Sequence, residues 1–231
     1  MNRKVRSRQS LLLAAILVIA SPTLMAADEV PQTTPEGMNL IKQTNSRIVY
    51  AMPGATLAPY TKVALLDCFV AFRKDWQRDH NRNTTQSLRV SDKDMERIKN
   101  DLAAEFQKIF EKELTDAGHE IVDVTGPDVL IVRPAIINLE VTAPDVQAAA
   151  MTHMVVRSAG EMTLFMELYD SMTSAIIARI FDAQAGDRGG FAMEATRVSN
   201  KMEADHIMRG WAQELAGHLG EAQTATGEAA N

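Results

Sequence analysis

Met151-Thr-His-Met154 places two thioethers around an imidazole, a donor set suited to copper(I). Eleven of the 13 methionines lie beyond residue 26, which adds a little to that reading. Most of them, however, fall on core stripes: Met162 and Met166 on a strand pattern, Met95, Met202 and Met208 on helical ones. Copper binding through Met151, His153 and Met154 is therefore the alternative, and no cofactor is expected. The histidines His80, His119, His153, His206 and His218 are scattered and form no metal-ligand spacing.

A second grouping is Trp76 with Arg73, Lys74, Arg78 and Arg82 in a polar run over 73–85. One aromatic among guanidinium groups can anchor a protein partner or an anionic ligand. The competing reading is a solvated connection with Trp76 folded onto the core.

Covalent chemistry has little support. Cys68 lies in Val63–Phe72, apolar at nearly every position, so it reads as an inert core thiol rather than a nucleophile. Asp67, Asp170, Asp182 and Asp187 could supply paired carboxylates, but turn positions and solvated strand ends explain them more simply. The chain has no G-x-S-x-G elbow, and Gly186–Gly190 lacks the Lys-Ser/Thr end of a phosphate loop. These residues predict a protein that is not an enzyme.

Charge narrows the partners. The formal net charge is −6, from 24 Lys and Arg against 30 Asp and Glu. Four of the cations, Arg3, Lys4, Arg6 and Arg8, precede one apolar run, and without them 20 cations face 30 anions. That balance argues against a nucleic-acid face, which needs clustered cations to neutralise phosphates.

The N-terminus has the order of a cleaved secretory signal. A basic stretch leads into apolar Leu11–Ala20, then Ser21-Pro22 and small Ala26-Ala27. The apolar run is shorter than the roughly 20 residues a bilayer span needs. Cleavage after Ala26 and a periplasmic mature protein are expected. The only cysteine, Cys68, is not placed to carry a lipid anchor.

The elements that must position these groups follow from periodicity. Residues 27–47 read as a flexible linker, 48–219 as one domain, and 220–231 as a disordered tail. Strands are predicted at 47–52, 62–72, 119–124, 129–141, 161–169 and 175–184, with Pro134 implying an edge position or a bulge. Ser91 and Asp94 form a capping pattern for a helix over 92–117, and a second helix spans 196–219. Met162, Leu164, Met166 and Leu168 should face the core, leaving the face with Glu161, Thr163, Glu167 and Tyr169 partly wet. The expected fold class is α+β, a mostly antiparallel sheet with two amphipathic helices packed on one face.

Several of these positions together resemble the bacterial envelope family known as domain of unknown function 3313. They are Tyr50 with Pro53-Gly54-Ala55, Pro59-Tyr60, Trp76, Ser91-Asp92 before Met95–Ile98, Gly126–Leu130, Pro134–Ile136, Gly160, Asp170-Ser171 and Trp211-Ala212. The resemblance spans about residues 48–219 and consists of turns, caps and core positions. It implies an envelope protein without a catalytic motif. Many such proteins look like lipoproteins, from which this chain departs. The order of elements is also similar to small envelope lipoproteins that serve transport or assembly machines. A binding or accessory role with an envelope partner or small ligand is the resulting expectation.

Overall fold

In a computed structural model of the chain, the structure describes residues 30–141, 154–156, 158–187, 193–195 and 197–229. Alternation over 161–169 builds a long strand, and Met162, Leu164, Met166 and Leu168 are buried on one face of it. In chain order the strands are β1 (Asn39–Gln43), β2 (Arg47–Ala51), β3 (Lys62–Leu65), β4 (Phe69–Phe72), β5 (Glu120–Ile121), β6 (Val129–Val141), β7 (Met154–Val156), β8 (Ser158–Asp170), β9 (Ile176–Asp187) and β10 (Met193–Ala195). The helices are α1 (Trp76–Arg82), α2 (Asp92–Asp116) and α3 (Arg197–Ala229). Asp170 shapes the β8–β9 turn by accepting hydrogen bonds from the Met172 and Thr173 amides at 3.1 and 2.7 Å.

The main sheet runs β1-β2-β9-β8-β6-β3-β5, with β4 also paired to β6, and β7 pairs with β10 in a second, two-stranded sheet. The main sheet is mixed rather than mostly antiparallel. From β1 to β6 the pairs are antiparallel, whereas β3 and β4 lie parallel to β6, and β5 parallel to β3. The reason is the connection: α1 and α2 intervene between β4 and β5, and a helical crossover returns the chain in the parallel sense.

Residues 62–72 form two strands instead of one. β3 pairs with Val129–Val132 and β4 resumes at Ala135, so Pro134 lies opposite the gap, where its missing N–H interrupts no ladder. β6 is thus a central strand, and its bulge lies further on, between Ile137 and Glu140, with Asn138 at φ 53°. Beside that bulge Gly160 has φ 142°, and a Cβ there would collide with the Glu140 carbonyl, so only glycine lets the two strands approach.

The Ser91 hydroxyl accepts from the Asp94 amide at 3.2 Å and the Asp94 carboxylate accepts from the Ser91 amide at 3.0 Å, closing the N-terminus of α2. Phe106, Phe110 and Leu114 of α2 join Met208, Trp211 and Leu215 of α3 in one core cluster with the apolar row of β8. Among the described residues, no helix is long and apolar enough to cross a membrane.

Three stretches differ from the sequence reading. Residues 39–43 of the expected linker form edge strand β1, preceded by fully buried Met38. The expected tail continues α3 to Ala229, where Gln223 donates to the Tyr60 carbonyl at 2.7 Å. The polar run over 73–85 contains α1.

The sheet face expected to be partly wet, with Glu161 exposed and Thr163 and Tyr169 half-buried, also holds a buried carboxylate. Glu167 is 4% exposed and accepts from Arg179 Nε at 2.9 Å and from the Tyr169 hydroxyl at 2.8 Å. Arg179 also donates to Glu36 at 3.1 Å, clasping the N-terminal turn to the sheet. That hydrogen bond, foremost, holds the Glu36 carboxyl at about 2, against an ordinary 4.5. A carboxylate with a depressed folded pKa contributes stability above its unfolded value and loses it as pH falls through the folded one. The urea midpoint should therefore decline from about pH 5 to about pH 2, and the decline should be shallower in Glu36→Gln. Equal slopes would show that the clasp does not contribute.

Candidate functional site

Three rows of side chains cross the helix-covered face from β2 through β9 to β8. They are Ala51–Ala178–Leu168, Val49–Ile180–Met166 and Arg47–Asp182–Leu164. Two rows are apolar, but the third carries an ion pair on the face that elsewhere builds the core. Trp211 and Leu215 of α3 stand over these rows, and Ala55–Leu57 approaches from the loop after β2. Together they line a cavity of about 620 Å³, a volume typical of small-ligand sites.

The polar end of the cavity is centred on one carboxylate. Asp182 is 1% exposed; its Oδ2 accepts from Arg47 Nε at 3.1 Å, from Arg47 Nη2, and from Trp211 Nε1 at 3.0 Å. Its Oδ1 accepts from Gln184 at 2.8 Å. Arg47 Nη1 donates to Glu214 of α3. Four donors thus satisfy the hydrogen-bonding capacity of this buried carboxylate. Burial disfavours the Arg47 charge, but the hydrogen bond and charge of Asp182, then those of Glu214, outweigh it and hold the guanidinium above its ordinary pKa. Further along α3, His218 sits 3.7 Å from Glu214 and 3.4 Å from Glu221. The arrangement can bind and orient an apolar ligand near fixed charges.

The residues singled out from sequence lie elsewhere. Trp76 opens α1 at 5% exposure, stacked on Phe72 at 4.6 Å and His80 at 5.1 Å, so it is a core side chain and not an exposed anchor. Arg73 is paired with Glu140 and with Asp79 at 3.5 Å, and Arg78 with Asp75 at 3.3 Å and Asp79 at 3.1 Å. Lys74 and Arg82 are exposed. Trp76→Ala is accordingly expected to cost about 3 kcal/mol, the range of buried aromatic truncations, read as a lowered urea midpoint. A shift under about 1 kcal/mol would mean that the indole is not part of the core.

Met151 and His153 lie outside the described residues, as does the side chain of Met154, whose backbone begins β7. Among the described residues, no group of three His, Cys, Asp or Glu is placed to hold a metal ion. Cys68 is buried, and burial pushes its thiol up to about 12, which leaves it protonated and unreactive at neutral pH. Asp170 is a turn residue and Asp67 is exposed, whereas Asp182 is a buried cavity residue and not the solvated strand end expected for it.

Sequence reading missed Arg47, Glu214 and Trp211 as partners. One signal existed: Ala178, Ile180 and Asp182 share a parity, so the carboxylate had to fall on the core face.

None of the curated proteins matches the chain. Among solved structures, the PelC dodecamer from Paraburkholderia phytofirmans is similar at 12% identity and TM-score 0.39, covering 75% of this chain and 96% of that one. A single-residue variant of the same dodecamer gives 11% identity and TM-score 0.39 over 74% and 97%. A family model described as "Protein of unknown function (DUF3313)" matches residues 39–215, and the chain belongs to that family.

Proposed function

We propose that this chain is an exported, non-enzymatic binding protein of the cell envelope, and that it takes an apolar ligand into the cavity between β2, β9 and α3. The carrying observation is a largely apolar cavity of about 620 Å³ that ends on buried Asp182 and its half-buried partner Arg47. An apolar body with a few convergent polar groups is the usual composition of a ligand site. At that end Arg47, Asp182 and the Trp211 indole are engaged with one another, as groups that shape and orient rather than react. Export is supported by the basic, apolar and small-residue order of residues 1–27.

Filling the cavity tests binding. The mature protein should enhance the fluorescence of Nile red, and Ala178→Trp should weaken that binding at least tenfold while the thermal midpoint stays within a few degrees. If Ala178→Trp is unstable, Ala51→Phe, at the β2 end of the same row, serves instead. Probe binding that is absent from the wild type, or unchanged in a folded filled variant, would refute the cavity as the site. Intact-mass measurement of the exported protein should find a chain starting at Ala27, and retention of residues 1–26 would refute export by cleavage.

A further inference from the structure

We infer, resting on the reading that this cavity binds ligand, that it selects a single-chain amphiphile with a cationic head, a long-chain amine. The chain-binding half follows from Val49, Ile180, Leu57 and Leu215, which line the cavity over a volume that suits one small ligand and no membrane surface. The head preference follows from charge. The titratable groups lining the cavity are two cations, Lys42 and Arg47, against three carboxylates, Asp182, Glu214 and Glu221, with His218 between the last two. The carboxylates of the lining outnumber its permanent cations.

Around the Arg47 end of the cavity the hydrogen bonds give the same sign. Arg47 directs Nε and Nη2 at Asp182 and Nη1 at Glu214, so its charge is already answered by two carboxylates. Trp211 Nε1 is likewise committed to Asp182. Glu214 is different: its Oε1 meets Arg47, and among the described residues its Oε2 receives no hydrogen bond. Its side chain is 36% exposed and lines the cavity. An ammonium head beside it would gain a charge-assisted hydrogen bond and offset the excess charge. A carboxylate or phosphate head would meet like charge in a partly desolvated site.

The test is displacement of Nile red from the mature protein by dodecylamine, dodecanol and dodecanoate, which share one chain and differ in the head. All are used below their aggregation limits. Dodecylamine should displace the probe at a concentration at least tenfold lower than dodecanoate, and Glu214→Gln should remove most of that preference while leaving dodecanol unchanged. Circular dichroism of Glu214→Gln checks its fold, and Glu214→Ala replaces it if needed. Dodecanoate equal to or better than dodecylamine overturns the head assignment while leaving the cavity as a binding site. A preference that persists without Glu214 overturns it as well. If Nile red binds in the cavity but none of the three displaces it, the single-chain class is wrong. If the wild type does not bind Nile red, the underlying proposal of a ligand cavity fails instead.

Discussion

Leu164→Asp is expected to leave the protein unfolded at room temperature. Leu164 is 3% exposed in the middle of β8, with Ile136 beside it on β6 and Asp182 on β9. An introduced carboxylate would be buried with no cation assigned to it, because Arg47 is already shared by Asp182 and Glu214. It would also stand beside a carboxylate that is 1% exposed. Burial of an unpaired charge and like-charge repulsion act together here, so the cost should exceed about 5 kcal/mol, comparable to the whole stability of an ordinary domain. Thr163→Asp provides the contrast: on the opposite, half-buried face it should cost less than about 2 kcal/mol. Far-ultraviolet circular dichroism with urea titration reads both. A Leu164→Asp protein that melts within a few degrees of wild type would mean that β8 is not part of the core.

The same strand shows what a sequence can disclose. The β8–β9 hairpin and the Ser91–Asp94 cap were legible because their signals are local: a period of two, a turn anchored by Asp170, and a box four residues long. The parallel pairing of β3, β4 and β5 was not. It depends on which strand a crossover returns to, and β5 contributes only Glu120 and Ile121 to its ladder. Helix α1 was hidden for another reason. It starts after Asp75 at φ 64° with no side-chain cap, in a run whose polarity reads as loop, and the buried indole of Trp76 holds it against Phe72. Edge strand β1 is mostly exposed, so it lacks the apolar alternation that marks a strand.

The cavity was the least legible feature because its members are distant in sequence. Asp182 meets Arg47 across 135 positions and Trp211 across 29, and neither spacing is a motif. Parity places Asp182 on the core face. Only the β2–β9 register, with Arg47 opposite Asp182, supplies the counter-charge that lets it stay there.

That dependence yields the second large effect. Asp182→Ala should destabilise the protein by about 4 kcal/mol, the typical result of removing one member of a buried ion pair. The loss strands the Arg47 guanidinium, 19% exposed, with only Glu214, and leaves the Trp211 indole N–H without its acceptor. Arg47→Ala should be nearly as damaging, since it leaves Asp182 with only the neutral donors Trp211 and Gln184. The double variant Arg47→Leu/Asp182→Leu should recover much of either loss, because removing both charges also removes their desolvation cost and the apolar rows on β2 and β9 then continue without a break. A double-mutant cycle in urea, built from the Ala single and double variants, should give a coupling of about 2 kcal/mol or more. Additive effects in that cycle would show that Arg47 and Asp182 do not act as a pair. Recovery in the Leu/Leu protein with the amine preference retained would separate the two consequences of the cluster, since the preference rests on Glu214, which the double variant leaves in place and frees of Arg47, whereas the stability rests on the pair.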